Sequence, residues 1–163
     1  KIQAAIITMS DSRSQSTEKA DESGAVIKEI LEANDYEVVH YELISDDLDG
    51  IKNSLIRVCD QNISLVLTTG GTGLSKRDNT PEATKAVIEK EVQGISEAMR
   101  YHSLQITPRA MLSRGVSGIR QNSLIINLPG SPKAVRENLE YIIPSLRHGL
   151  EILRGEASNC ARK

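Results

Sequence analysis

Apolar and polar positions follow one another along this chain in blocks whose period switches between strand-like and helix-like. Residues 2–9 (IQAAIITM) form a short apolar run closed by the polar stretch 10–21, the pattern of a buried strand feeding a loop. From Ser23 the apolar positions Val26, Ile27, Ile30 and Leu31 recur at helical spacing as far as Asn34-Asp35. Residues 36–44 alternate loosely and are rich in β-branched and aromatic side chains, which predicts a strand. Leu48, Ile51, Leu55, Val58 and Cys59 trace one face of a second helix, and residues 64–69 (SLVLTT) form a third strand stopped by Gly70-Gly71. This β-α-β-α-β alternation predicts a mostly parallel sheet covered on both faces.

Residues 81–90 and 94–103 read as two further helices. Residues 115–128 hold two short apolar segments separated by Arg120-Gln121-Asn122-Ser123 and read as a hairpin. Val135, Leu139, Ile142, Leu146, Leu150 and Leu153 mark a long final helix in which Pro144 removes one backbone bond and is expected to introduce a kink. The expected architecture is α/β, a three-layer α/β/α domain over residues 1–163 with a polar tail from about residue 155.

Composition agrees with a folded chain. Ile, Leu and Val number 42 of 163 residues, enough for one substantial core. Phe and Trp are absent and Tyr numbers four, which argues against stacking on nucleic-acid bases; of these, Tyr101 and Tyr141 are expected in the core rather than on a ligand ring. No apolar run approaches the ~18 residues of a membrane span. The net charge of −2 conceals a gradient: residues 1–99 carry 10 basic and 18 acidic side chains, residues 100–163 carry 10 basic and 4 acidic. A basic C-terminal half suits an anionic ligand and equally suits solvated helix faces. Cys59 and Cys160 show no paired spacing, with Cys59 reading as a small core residue, and a reducing cytoplasm is the expected compartment. The opening at Lys1 carries no charged-then-apolar leader pattern, in line with that expectation.

The most informative stretch is residues 68–81, Thr-Thr-Gly-Gly-Thr-Gly-Leu-Ser-Lys-Arg-Asp-Asn-Thr-Pro. It follows an apolar strand and ends at Thr80-Pro81, an N-cap and first-turn pair. Gly70, Gly71, Thr72 and Gly73 thus form a donor-rich turn at the C-terminal end of a strand and beside a helix start, a suitable place for phosphate. Neither the Walker A nor the dinucleotide spacing is present. A bare cluster of three glycines reads as a tight turn as readily as a ligand site. Lys76, Arg77 and Asp78 shift the balance, because two cations suit phosphate oxygens and a carboxylate among them suits a hard divalent cation.

A second segment has the same grammar. Leu128 ends a strand, Pro129-Gly130 turns the chain, and Ser131-Pro132 again pairs a cap with a first-turn proline. Lys133 in that first turn opposes the helix dipole, which hints at an anion. Two such junctions side by side would form the ligand edge of an open α/β sheet. Asp46, after the second strand, and Asp11, after the first, reach the same edge, or else serve as helix-capping acids. His40, His102 and His148 lack metal-ligand spacing and read as ordinary strand or helix residues.

Residues 68–83 (TTGGTGLSKRDNTPEA), with Leu112-Ser113-Arg114 and residues 128–132 (LPGSP), resemble the molybdopterin adenylyltransferases, that is, MogA-type proteins and the G domain of gephyrin. The likeness runs from Ile6 to about Leu153. It implies a three-layer α/β/α domain, a homotrimer, and transfer of AMP from Mg-ATP to the terminal phosphate of molybdopterin with release of pyrophosphate. It also implies a transient contact with a molybdate-inserting protein; the composition, rather than the likeness, argues against nucleic-acid and membrane partners. Carried over residue by residue, Asp78 matches the essential carboxylate after the glycine loop and Asp46 a second acidic position, and both would hold Mg²⁺. Gly70, Gly71, Thr72, Gly73, Pro129, Gly130 and Ser131 match the loops around the nucleotide, with Arg77, Lys76 and Lys133 neutralising charge. Ser103, Ser113 and Asp11 match the pterin side. Asp46 is preceded by Ser45 where the family commonly has proline, which relaxes the backbone there. Arg77-Asp78 and Thr80-Pro81 are intact, which favours an active enzyme over the alternative, an inactive molybdopterin-binding or scaffold paralogue.

Overall fold

The computed structural model describes residues 1–10 and 21–156. In chain order the elements are β1 (Ile2–Ser10), α1 (Glu22–Ala33), β2 (Tyr36–Ser45), α2 (Leu48–Asp60), β3 (Leu65–Thr69), α3 (Thr80–Val87), β4 (Lys90–Glu91), α4 (Gln93–Leu104), a 3₁₀ turn (Pro108–Leu112), β5 (Ser117–Arg120), β6 (Ser123–Leu128) and α5 (Pro132–Leu153). The six strands form one sheet in the order β2-β1-β3-β6-β5-β4. Strands β2, β1, β3 and β6 run parallel, while β5 and β4 continue antiparallel from β6.

Alternation along the strands sends successive residues to opposite faces, and both faces are covered. Ala4, Ile6, Leu65, Leu67, Leu124, Ile126 and Leu128 pack with Ile27 and Leu31 of α1, Met99 of α4 and Val135, Leu139 and Leu146 of α5. Ala5, Ile7, Met9, Val66 and Ile125 pack with Ile51, Leu55, Val58 and Cys59 of α2 and Ala83 and Val87 of α3. The three-layer α/β/α expectation holds. Fully burying one of these aliphatic side chains contributes about 1.5–3 kcal/mol. Cys59 lies in this second layer, and burial pushes its thiol pKa up. Among the described residues no helix is long and apolar enough to cross a membrane.

Several local expectations are corrected. Thr80 is not the cap of α3: Asn79 holds that position, and the Thr80 hydroxyl donates instead to the Gly70 carbonyl at 3.0 Å. The helix stops at Val87 rather than Lys90, because the Glu89 amide donates to Ile119 O and residues 90–91 pair with β5. Tyr101 and Tyr141 are not core residues but 65% and 46% exposed, and Tyr141 stacks on His102 with centroids 4.1 Å apart. The final helix runs on through Pro144, which sits on its solvent face, where water can satisfy the carbonyl that loses its donor. Asp11 and Cys160 lie outside the described residues.

Candidate active site

Strands β3 and β6 are parallel neighbours, with Thr69 opposite Leu128, so their C-terminal turns emerge side by side. The Gly70 amide donates to Leu128 O at 3.3 Å, and the Thr69 hydroxyl donates to Pro129 O at 2.5 Å. A Cβ on Gly130 would lie 3.5 Å from the Gly70 Cα. The two glycine junctions singled out in the sequence are therefore one structural unit.

The carbonyls of this unit have a common feature. Gly70 O accepts from the Thr80 hydroxyl and Gly71 O from the Thr80 amide, while Thr72 O accepts from the Arg114 amide and Gly73 O from Arg114 Nε–H at 2.7 Å. In the second loop, Leu128 O and Pro129 O accept from Gly70 and Thr69, Gly130 O accepts from the Ser23 hydroxyl at 2.6 Å, and Ser131 O accepts from Val135 N. All eight carbonyls of residues 70–73 and 128–131 are thus held by protein donors. Lone pairs that would repel an anion are engaged elsewhere. The second loop also leads into the N-terminus of a 22-residue helix, capped by Ser131 through Ala134 N at 3.2 Å; its dipole favours negative charge there.

Asp46 and Asp78 border the same turn. A Cβ added at Gly71 would lie 3.0 Å from Asp46 Oδ1, and one at Gly73 would lie 2.9 Å from Asp78 Oδ2. Asn79 Nδ2 donates to Asp46 O at 2.9 Å, and Asp78 Oδ2 accepts from Ser75 N at 3.0 Å. Hard oxygen donors beside a side-chain-free turn fit Mg²⁺, which takes one or two carboxylates and completes its shell with water and phosphate. Among the described residues no group of three or more His, Cys, Asp or Glu is placed to hold a metal ion.

Beside the loops lies a cavity of about 220 Å³ lined by Arg100, Ser103, Ser113, Asn127, Pro129 and Asn138, among others. Ser103 and Ser113, predicted for the pterin side, both reach it, and Pro129 joins it to the second loop. Ser103 donates to Asn138 Oδ1 at 2.9 Å. Asn127, 2% exposed, donates to the Thr68 and Thr84 hydroxyls at 3.0 Å each and accepts from Val116 N at 3.1 Å. Lys76, Arg77 and Lys133 are exposed beside the loops rather than in this cavity. Sequence reasoning missed Arg114, Asn127, Asn138 and Ser23. Only Arg114 carried a local signal, through its place in the Leu-Ser-Arg segment.

A family model described as a probable molybdopterin-binding domain matches residues 5–148. The molybdopterin adenylyltransferase of Helicobacter pylori strain J99 is 45% identical over 158 residues, spanning 94% of this chain and 89% of that protein. Gephyrin of Dictyostelium discoideum is 39% identical over 161 residues, which are 93% of this chain but 22% of gephyrin. Among solved structures, the molybdopterin biosynthesis enzyme MoaB of Thermus thermophilus matches with a TM-score of 0.88 at 42% identity, covering 98% of this chain and 100% of that one. These matches establish that the chain belongs to the molybdopterin adenylyltransferase family of molybdenum cofactor biosynthesis proteins, of the MogA/MoaB type.

Proposed function

We propose that this protein transfers AMP from ATP to the terminal phosphate of molybdopterin. One observation carries the reading: the eight carbonyls of the two adjacent turns are all engaged by protein donors while two carboxylates border the first turn.

In this reaction an anionic oxygen of the molybdopterin phosphate attacks the α-phosphorus of ATP. A new P–O bond forms, the α–β P–O bond breaks, and pyrophosphate carries away the electron pair. The nucleophile is already ionised, so the protein needs no general base. Its work is alignment and neutralisation of charge. The backbone amides of residues 71–73 and the α5 N-terminus receive phosphate oxygens, with Arg77, Lys76 and Lys133 adding positive charge at the rim. The cavity lined by Ser103 and Ser113 holds the pterin, its serine hydroxyls and Asn138 offering polar contacts to the ring edge. Asp46 and Asp78 would hold Mg²⁺. When bound, that ion screens the phosphate charges and helps align the reacting groups. A homotrimer working in the cytoplasm, handing its product to a molybdate-inserting protein, completes the reading.

Purified protein supplied with ATP, Mg²⁺ and molybdopterin should release pyrophosphate. Asp78→Asn should lower that release by at least about 100-fold, the scale seen when a charge-stabilising contact at a transition state is lost, while the cooperative unfolding transition is retained. Undiminished release in Asp78→Asn would remove the role given to Asp78. Tight molybdopterin binding without Mg²⁺-dependent ATP binding would select a binding-only paralogue.

A further inference from the structure

Arg114 makes four contacts to one short segment. Its amide donates to Thr72 O at 2.9 Å, Nε–H to Gly73 O at 2.7 Å, Nη2–H to Asp78 O at 2.9 Å, and Nη1–H to the Glu82 carboxylate at 2.7 Å. The planar fork thereby closes the 73–78 turn at both ends and fastens it to the first turn of α3. The hydrogen bond from Arg114 also holds the Glu82 carboxyl below its usual range. On its other side Arg114 sits between Ser113 and Gly115, which line the adjoining cavity. Arg100 Nη1–H grips the carbonyls of those two residues at 3.4 and 2.9 Å. One residue therefore ties the loop bearing Asp78 to the wall of the cavity that holds Ser113.

We propose that Arg114 is a positioning residue for the transfer. It keeps the Gly73 and Asp78 carbonyls turned away from the phosphate site and holds the Asp78 carboxylate in register with a ligand in the cavity. This rests on the adenylyl-transfer reading above. Lysine at position 114 keeps the charge and loses the fork, so it separates geometry from electrostatics.

The test compares wild type with Arg114→Lys and Arg114→Ala by hydrogen exchange and by steady-state pyrophosphate release. The Ser75 and Asp78 amides, which bond to Asp78 Oδ2 and Ser75 O respectively, should exchange at least about tenfold faster in both variants. Exchange in the β1, β3 and β6 amides should stay within about twofold of wild type. The kcat should fall about tenfold or more, the scale of a misplaced reacting group, while KM for molybdopterin stays within about twofold. Wild-type exchange at Ser75 and Asp78, faster exchange with unchanged kcat, or a uniform rise over the whole sheet would each overturn the proposal. If Arg114→Ala does not fold, Arg114→Lys and Glu82→Gln read the same loop, and Glu82→Gln should move exchange and kcat in the same direction by a smaller factor. Failure of wild type to release pyrophosphate would instead count against adenylyl transfer, leaving the exchange measurement to decide the clamp.

Discussion

Replacing Gly71 with alanine perturbs the first turn at its most constrained point. Gly71 has φ +70°, and an added Cβ would overlap the Thr80 hydroxyl and approach Asp46 Oδ1 to 3.0 Å. The left-handed conformation costs a non-glycine residue about 1–2 kcal/mol. Thr80 is fully buried, and its hydroxyl donates to Gly70 O at 3.0 Å; displacing it leaves that bond unmade at about 1–3 kcal/mol. The sum is about 2–5 kcal/mol. With a urea m-value of about 2 kcal/mol/M, the midpoint should fall by about 1–2.5 M. Pyrophosphate release should drop about 100-fold as the turn moves relative to Asp46. Gly94 supplies the control. A Cβ there meets nothing within 4 Å, at the start of α4, so Gly94→Ala should be neutral or stabilising by up to about 1 kcal/mol. Equal urea midpoints for Gly71→Ala and wild type would refute the argument that this turn is fixed by its neighbours.

Asn127→Leu should be among the more damaging single changes, since it deletes three bonds of a buried amide and leaves Val116 N–H and two threonine hydroxyls to find other partners. A cost of about 2–4 kcal/mol is expected, lowering Tm by about 5–15 °C in a thermal melt. Glu42 gives a pH prediction. Burial opposes its ionisation, yet bonds from Ser54 and His40 at 2.6 Å each and from Arg57 at 3.0 Å prevail and hold its pKa below the usual 4.5. A depressed folded pKa stabilises fully above about pH 4.5 and is lost as pH falls through the lower folded value. Wild type should therefore exceed Glu42→Gln in urea midpoint by about 1–3 kcal/mol equivalents at pH 7, and the gap should close as pH falls below about 4.5. A constant gap from pH 7 to 3 would contradict this sign.

The elements were legible wherever one local rule governed them. The continuous apolar runs of residues 2–9 and 64–69 mark strands buried on both faces, and the 3.6-residue period of α1, α2 and α5 marks helices that cover them. Reading failed where a distant group decided the matter. Thr80-Pro81 has the local form of a cap, but Gly70 O, ten residues earlier, claims the hydroxyl and draws Thr80 into the helix. Residues 88–90 continue an acceptable helical composition until β5, arriving thirty residues later, takes the Glu89 amide and pairs with β4. Thr107-Pro108 is a different case. It carries the same cap-and-proline grammar as the two glycine turns and starts a 3₁₀ turn capped by the Thr107 hydroxyl, so its signal was present in the sequence.

For the site, glycine content identified the turns but not which way they face. A turn of the same composition with its carbonyls toward the cleft would repel phosphate as firmly as one with its amides there would attract it. What fixes the polarity is the ownership of the carbonyls. Thr80 takes two of them, Arg114 two more, and Ser23 and Thr69 one each in the second loop. Ser23 lies 107 positions from its partner and Arg114 lies 41 from Gly73, separations at which no spacing rule operates. The parallel pairing of β3 with β6 is what brings them within reach, because neighbouring parallel strands end at the same edge and deliver both turns to the same donors. Substitutions that free one of these carbonyls should therefore weaken nucleotide binding without touching any residue that meets the ligand. Ser23→Ala is the mildest of them, removing one hydroxyl that is buried and bonded to Gly130 O. On the proposed function, anion affinity at these turns would be a property of their backs as much as of their face.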